Sequence, residues 1–483
     1  MPLYHPLLRY IKAIRLPEYE YIGLTKVEVD LLDTKPLQRL RRIHQLPSAH
    51  LVYPGASHTR FEHSLGVMHL AGEATMYIKL NEEAVNRKEK NISMGEILRT
   101  MNEKKFEDFL REVQLARLVG LLHDIGHGPF SHTFELFHQM LSEKRNGEEF
   151  NHELKGLEII KNCDEIRKAL EDNGFTPEDI IGTYIPDIKN TEKLHINPSS
   201  KLFYKIKSIR ENKRHITEIL KGEVINVDRL NYLVLDAHRS GAVEYGHVDA
   251  YRLIYNLYYS KQRKLLCVGK KAEAALLRYI EAYKHMYDNV YLHKLSRAVD
   301  IHIAYMLKCA IEAEILDNIV NPSWERLLEL YDDALIYELK QKLKNTNKSS
   351  NRQAKIAQQL LDMYLKRKVL REAYRIPIDH NKVQGKGYNE IEEDIRKKAN
   401  LEKDNLIIVY KIETYTAGPP PVTEDALKHY KLFDEDTWTE ISPDETFLDR
   451  IRPLTRIIKH YYGVYTEPEH KDKVKTACKT IYE

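Results

Sequence analysis

Apolar residues recur at helical spacing along most of the first 370 positions. In the segment 113–122 (VQLARLVGLL) they run straight into the pair His123-Asp124. The segment 61–78 behaves the same way, with Phe61, Leu65, Met68 and Ala71 sharing one side. The spacing predicts further helices at 227–237, 272–318, 323–345 and 351–371. Two polar stretches interrupt it: 81–108 is rich in Glu, Lys and Asn, and 186–222 mixes Pro, Asn, Ser and Lys. Both are expected as exposed excursions. After Arg371 the pattern changes. The β-prone run Leu406-Ile407-Ile408-Val409-Tyr410 and the breaker Gly418-Pro419-Pro420-Pro421 predict a mixed α/β region over 372–483. The expected fold class is mainly α. A helical core spans 1–320, a helical extension spans 321–371, and a small mixed region closes the chain.

Composition narrows the function. A chain of 483 residues exceeds one ordinary domain. Its 75 Lys and Arg against 72 Asp and Glu leave a net charge of only +3, so no global field gathers nucleic acid or anionic membrane. The basic clusters Arg39-Leu40-Arg41-Arg42 and Lys366-Arg367-Lys368 are short and read as solvated helix faces, which argues against nucleic acid as a partner. The cysteines Cys163, Cys267, Cys309 and Cys478 form no C-x-x-C pair and read as reduced thiols. With no signal-peptide pattern at the start and no apolar run of about 18 residues, the expected compartment is the cytoplasm, away from membrane. Phosphate-loop, H-E-x-x-H and G-x-S-x-G motifs are absent, which turns attention away from ATPase motors, zincin proteases and serine hydrolases.

The densest chemical signal is the run from Leu122 to Glu135, LHDIGHGPFSHTFE, with His123, Asp124, His127, His132 and Glu135. A lone histidine on an apolar face is usually a core residue. Here a His-Asp pair closes an apolar helix and two more histidines follow, and burying all of them without a function would be costly. Upstream, His63 stands on a predicted helix. Downstream, Asp228, Tyr232 and Asp236 recur at i, i+4 and i+8 and share one helical face. Two imidazoles and two carboxylates, from His63, His123, Asp124 and Asp228, suit Mn, Fe, Co, Ni or Zn better than Mg alone. A set of this kind leaves positions open for water and substrate.

The order H…HD…D resembles the HD superfamily of phosphohydrolases. The fuller text is similar to its dNTP triphosphohydrolase branch, through Asp33 to Leu46, Tyr53 to Val67, His123 to Glu135, Asn151-His152-Glu153, Val227 to Asp236 and Val290 to Lys294. The resemblance covers most of residues 10–310 and implies a helical HD core. It also implies attack on the α-phosphorus, releasing deoxynucleoside and triphosphate, with Mg on the substrate phosphates as a further cation. His132 is the expected acid for the departing oxygen, with Glu135 three residues on to orient it. His127 and His152, the latter with Glu153, are expected to line the same pocket. Motif matching assigns Gln45 and Leu46 to the sugar, Arg60 and Arg229 to phosphates, and Tyr232 and Asp236 to the 3′-hydroxyl. It also implies a homodimer or homotetramer and a dGTP-type activator site at Lys12, Asp33, Gln38 and Arg41. Two departures stand out. Leu16-Pro17-Glu18-Tyr19-Glu20 brings negative charge near that activator site, and Asn289 replaces a phosphate-binding arginine, leaving Lys294 and Arg297 as nearby cations. The alternatives are an HD-type phosphodiesterase or phosphomonoesterase, and a non-catalytic regulator binding nucleotide or nucleic acid.

Overall fold

The computed structural model describes residues 8–89, 93–145, 150–346, 351–412, 426, 430–454 and 460–483. The Gly418–Pro421 breaker lies outside the described residues. The chain opens with an antiparallel hairpin, β1 (Lys12–Leu16) and β2 (Glu20–Leu24), followed by the short helices α1 (Lys26–Leu32) and α2 (Lys35–Arg39). The main helical layer comprises α3 (Arg60–Arg87), α4 (Met94–Thr100), α5 (Glu103–Leu122) and α6 (His132–Arg145). It continues with α7 (His152–Asn162), α8 (Asp164–Glu171), α9 (Pro177–Tyr184), α10 (Lys201–Asn212), α11 (Arg214–Lys221), α12 (Val227–Ser240) and α13 (Ala250–Tyr255).

Helices α3 and α5 pack along one another, and α12 lies against α3. Gly66 explains the closeness of α12: a Cβ there would come within 2.0 Å of Asn231 Oδ1. The hairpin β3 (Leu257–Ser260) and β4 (Leu265–Gly269) precedes α14 (Glu273–Met286) and α15 (Lys294–Glu312). Helix α15 packs on α6 and on α18 (Arg352–Leu365), after α16 (Trp324–Glu329) and α17 (Asp332–Asn345).

The C-terminal region contains β5 (Arg371–Pro377), α19 (Tyr388–Ala399), β6 (Ile407–Ile412), β7 (Leu432–Asp434), β8 (Thr439–Ile441) and β9 (Tyr461–Thr466). Strands β5, β9 and β6 form an antiparallel sheet in that order. That sheet, α19 and the closing helix Lys471–Tyr482 share a small core of Ile376, Ile391, Val464 and Val474. Strand β7 instead joins β4 in parallel, pairing Leu432 with Val268. Leu406, Leu432, Phe447 and Tyr465 belong to the same core as the helices, so the end of the chain is built into the body.

The fold is mainly α with small sheets. Two findings depart from the hydropathy reading. The segment 186–222 carries α10 and α11 and buries Ile206, Ile216 and Ile219, because sparse apolar residues at helical spacing suffice to dock a short helix. The stretch 81–108 is mostly helix as well, the end of α3, then α4, then the start of α5. All four cysteines are buried, and none forms a disulfide among the described residues. No helix among the described residues is long and apolar enough to cross a membrane.

Candidate metal centre and the adjoining histidines

Three helix ends converge. His63 sits in the first turn of α3, His123 caps the end of α5, and Asp228 opens α12 behind its N-cap Asn226. Donor atoms of His63, His123 and Asp124 all lie within 4.8 Å of one another. Asp228 Oδ1 completes the group, 3.0 Å from His63 Nε2 and 3.9 Å from His123 Nε2. His63, His123 and Asp124 are buried, while Asp228 is half-buried and marks the open side.

The donor set fits a divalent cation. His123 donates Nδ1–H to the carbonyl of Gly120 (2.8 Å), which leaves the lone pair on Nε2. That Nε2 is buried and has no hydrogen-bond partner. The Asn231 amide lies 2.8 Å from His63 Nδ1 and fixes that ring, with its oxygen accepting from Tyr19 at 2.6 Å. Burial lowers the pKa of His123. Burial alone would raise that of Asp124, but His123, Arg60 and His127 outweigh it and hold the carboxyl well below its usual range. A neutral imidazole at His123 beside an ionised carboxylate is the protonation state a cation requires.

A second group adjoins the first. After Asp124 the chain turns through Gly126, where a Cβ would lie 2.1 Å from the His152 carbonyl and 2.2 Å from Gly156 N. Glycine there lets α7 close on the turn and bring His152 in. His127 stacks on His152, with ring centroids 3.8 Å apart, and His132 meets both rings edge-on. Glu135 joins them, accepting from His132 Nδ1 at 2.8 Å and from His152 Nδ1 at 2.5 Å. Burial alone would depress His152, but Glu135 outweighs it and the net shift is upward. Burial, Arg60 and His152 push His127 well down, so its ring is neutral.

The turn into α6 is strained: Phe130 and Ser131 have φ of 60° and 51°, in the left-handed region. Asp332, at the start of α17, accepts from Phe130 N (2.7 Å) and holds His44 Nδ1 (2.8 Å). Ser131 Oγ donates to the His44 carbonyl (2.6 Å) and accepts from Arg60 Nε (2.9 Å). Arg39 donates to the carbonyls of Ile125 and His127. Asp332, Arg39 and Asn231 are absent from the sequence-based assignment. Only Asn231, three residues after Asp228 on the same helix, carried a local signal.

The remaining assigned residues divide. Tyr232 and Asp236 share the Asp228 face, and Asp236 accepts from Tyr291 (2.8 Å) and pairs with His58 (2.7 Å). Gln45 and Leu46 line a cavity bordered by His132. Arg60 reaches Asp124 (2.6 Å) and so braces the cluster directly. Arg229 faces the other way, donating to the carbonyls of Glu223 and Val224 and lying over Tyr283, because neighbours on a helix diverge by about 100°. Glu153 diverges from His152 for the same reason and pairs with Lys221 at 2.8 Å. At the expected activator site, Arg41 donates to Gln38 (3.1 Å) and covers Phe61, Asp33 caps α1, and Lys12 lies on β1. The Leu16–Glu20 departure is the turn of the first hairpin, with Glu18 buried 3.5 Å from Arg239.

Comparison with known proteins agrees with this geometry. The model of the HD domain family matches residues 60–181, and that of the HD associated region matches 248–483. The chain is 27% identical over 309 residues to mouse (Mus musculus) deoxynucleoside triphosphate triphosphohydrolase SAMHD1, covering 61% of this chain and 43% of that protein. It is 28% identical to the human (Homo sapiens) protein of the same name over 298 residues, 61% of this chain and 44% of that one. Uncharacterized protein MJ1154 of Methanocaldococcus jannaschii is 29% identical over 328 residues, 68% of this chain and 54% of its own. The chain spans about half the length of the curated relatives it matches. The HD pair at the end of α5 falls inside the first match, so residues 60–181 are similar to an HD domain and residues 248–483 to the region associated with it.

Proposed function

We propose that this protein is a metal-dependent phosphohydrolase that cleaves deoxynucleoside triphosphates into deoxynucleoside and triphosphate. The observation that carries the reading is the adjacency of two groups: a buried His-Asp cluster fit for a cation, and a carboxylate-bound pair of histidines beside it. Relatives named as deoxynucleoside triphosphate triphosphohydrolases support the substrate.

His63, His123, Asp124 and Asp228 would hold a divalent transition metal such as Mn, Fe, Co, Ni or Zn. When bound, such an ion lowers the pKa of water toward neutrality and polarises a phosphoryl oxygen. In the reaction, water adds to the α-phosphorus, the bond from that phosphorus to the 5′ oxygen breaks, and triphosphate departs. His132 gives its Nε2 proton to the leaving oxygen while Glu135 keeps its Nδ1–H in place. His152, whose pKa the same carboxylate raises, would face the phosphate and favour its negative charge, and His127, pushed down by burial, lies between the two groups. Tyr232 and Asp236 hold the 3′-hydroxyl, and Leu46 blocks a 2′-hydroxyl. Arg60 orders Asp124, and a phosphate role for Arg229 requires it to leave its backbone partners. Homo-oligomerisation and activation through Lys12, Asp33, Gln38 and Arg41 extend the proposal; unchanged dATP turnover and assembly state on adding dGTP would remove that extension.

The test is chromatography of products from a panel of dNTPs and NTPs with added Mn or Mg. Intact triphosphate from dNTPs is expected, with none from NTPs and none from Asp124→Ala. Pyrophosphate or orthophosphate in its place, or cleavage of an oligonucleotide run beside the panel, would favour the phosphodiesterase or phosphomonoesterase reading.

A further inference from the structure

The cavity bordered by His132 reaches beyond the residues assigned to the sugar. Leu46 and Tyr291 give it apolar surface, and Gln45, Ser296 and Arg297 give it a polar wall. Two atoms of that wall, Gln45 Oε1 and Ser296 Oγ, are buried and have no hydrogen-bond partner within the protein. Buried polar atoms are ordinarily satisfied, so two on one cavity point to a ligand that carries both donors and acceptors.

The charge of the wall limits what that ligand is. Arg297 donates to Asp300 at 3.0 Å, and Asp300 accepts from Thr133 at 2.7 Å, so the guanidinium is held by a carboxylate that is itself fixed. Both members of the pair are buried and both border the cavity. A triphosphate placed there would meet the Asp300 carboxylate, which makes this a poor phosphate subsite. A neutral heterocycle does not incur that repulsion.

Building on the proposed function, we propose that this cavity receives the nucleobase and that Arg297 makes it select guanine over adenine. His132 protonates the departing 5′ oxygen, so the nucleoside lies on the His132 side and its base extends into the cavity. An arginine offers donors only. Guanine presents two acceptors, O6 and N7, to such a fork, whereas adenine replaces O6 with an amino donor. The hydroxyl of Ser296 is then available to the N1–H of guanine, while Gln45 stays with the sugar. Thymine, with its O4 acceptor and N3–H, ranks second, and cytosine ranks with adenine.

The experiment compares kcat/KM for dGTP, dITP, dATP and the triphosphate of 2-aminopurine deoxyriboside on the wild-type protein. The deoxyinosine compound keeps O6, and the 2-aminopurine compound lacks it. The expected result is dGTP and dITP within about threefold of each other, and the other two at least about tenfold lower. Arg297→Met is expected to compress the dGTP to dATP ratio to within about threefold. Because that change strands Asp300, Ser296→Ala is run beside it and is expected to lower the ratio more modestly. Equal rates for dGTP and dATP, or a ratio unmoved by both variants, would overturn the assignment. If no dNTP yields triphosphate, the catalytic reading fails by itself. Calorimetric binding of deoxyguanosine against deoxyadenosine then decides the base pocket, with equal affinity overturning it.

Discussion

Two clusters lie side by side in this protein and treat charge in opposite ways. Around His63, His123, Asp124 and Asp228, carboxylates stay ionised and the buried His123 is driven toward neutrality, which favours a cation. Around Glu135 a single carboxylate binds two imidazoles and raises the pKa of His152, which favours held protons. The residue types are nearly the same. The difference is where each imidazole sends its Nδ1–H: His123 to a neutral backbone carbonyl, His132 and His152 to a carboxylate. A neutral acceptor leaves a lone pair for metal, and an anionic one stabilises imidazolium.

The comparison breaks most sharply at Asp124. Asp124→Ala is expected to lose both bound metal and phosphohydrolase activity to background, with metal content read by mass spectrometry. Retention of stoichiometric metal would contradict the first half of the contrast. Glu135→Gln should cost about 10²-fold in kcat while metal content is unchanged. Its pH profile carries the sign. Glu135 raises the pKa of His152, so the protonated form persists below that raised value and is lost as pH rises through it. Removing the carboxylate charge should therefore move the alkaline limb of kcat to lower pH. An alkaline limb that stays in place would show that Glu135 does not control the protons. Asp332→Ala, which frees the Phe130–Ser131 turn and His44, should lower kcat about tenfold with KM and metal content little changed. Asp332→Asn keeps an acceptor for Phe130 N–H and should recover part of the loss. A change confined to thermal stability would make Asp332 a structural residue only.

Much of this arrangement was legible in the sequence because it is local. The i, i+4, i+8 face of Asp228, Tyr232 and Asp236 follows from helical period, and the His132–Glu135 contact follows from i, i+3 spacing. Period also explains why Arg229 and Glu153, each beside a residue of the candidate site, face other partners in this structure. The parts that were not legible are long-range. Asp332 lies about 200 positions after Phe130, and Arg39 about 90 before His127, with nothing in their neighbourhoods to mark them. The short hairpins at 12–24 and 257–269, and the pairing of β7 with β4, depend likewise on tertiary context. Gly126 and Gly66 mark close approaches in the fold, but nothing in the sequence names their partners.

The central claim is that water attacks the α-phosphorus beside the His-Asp cluster and the 5′ oxygen leaves. Hydrolysis of a dNTP in ¹⁸O-labelled water, followed by mass spectrometry of both products, tests it most directly. The account predicts one ¹⁸O atom in released triphosphate and none in the deoxynucleoside. Label in the deoxynucleoside, or release of pyrophosphate or orthophosphate in place of triphosphate, would contradict it.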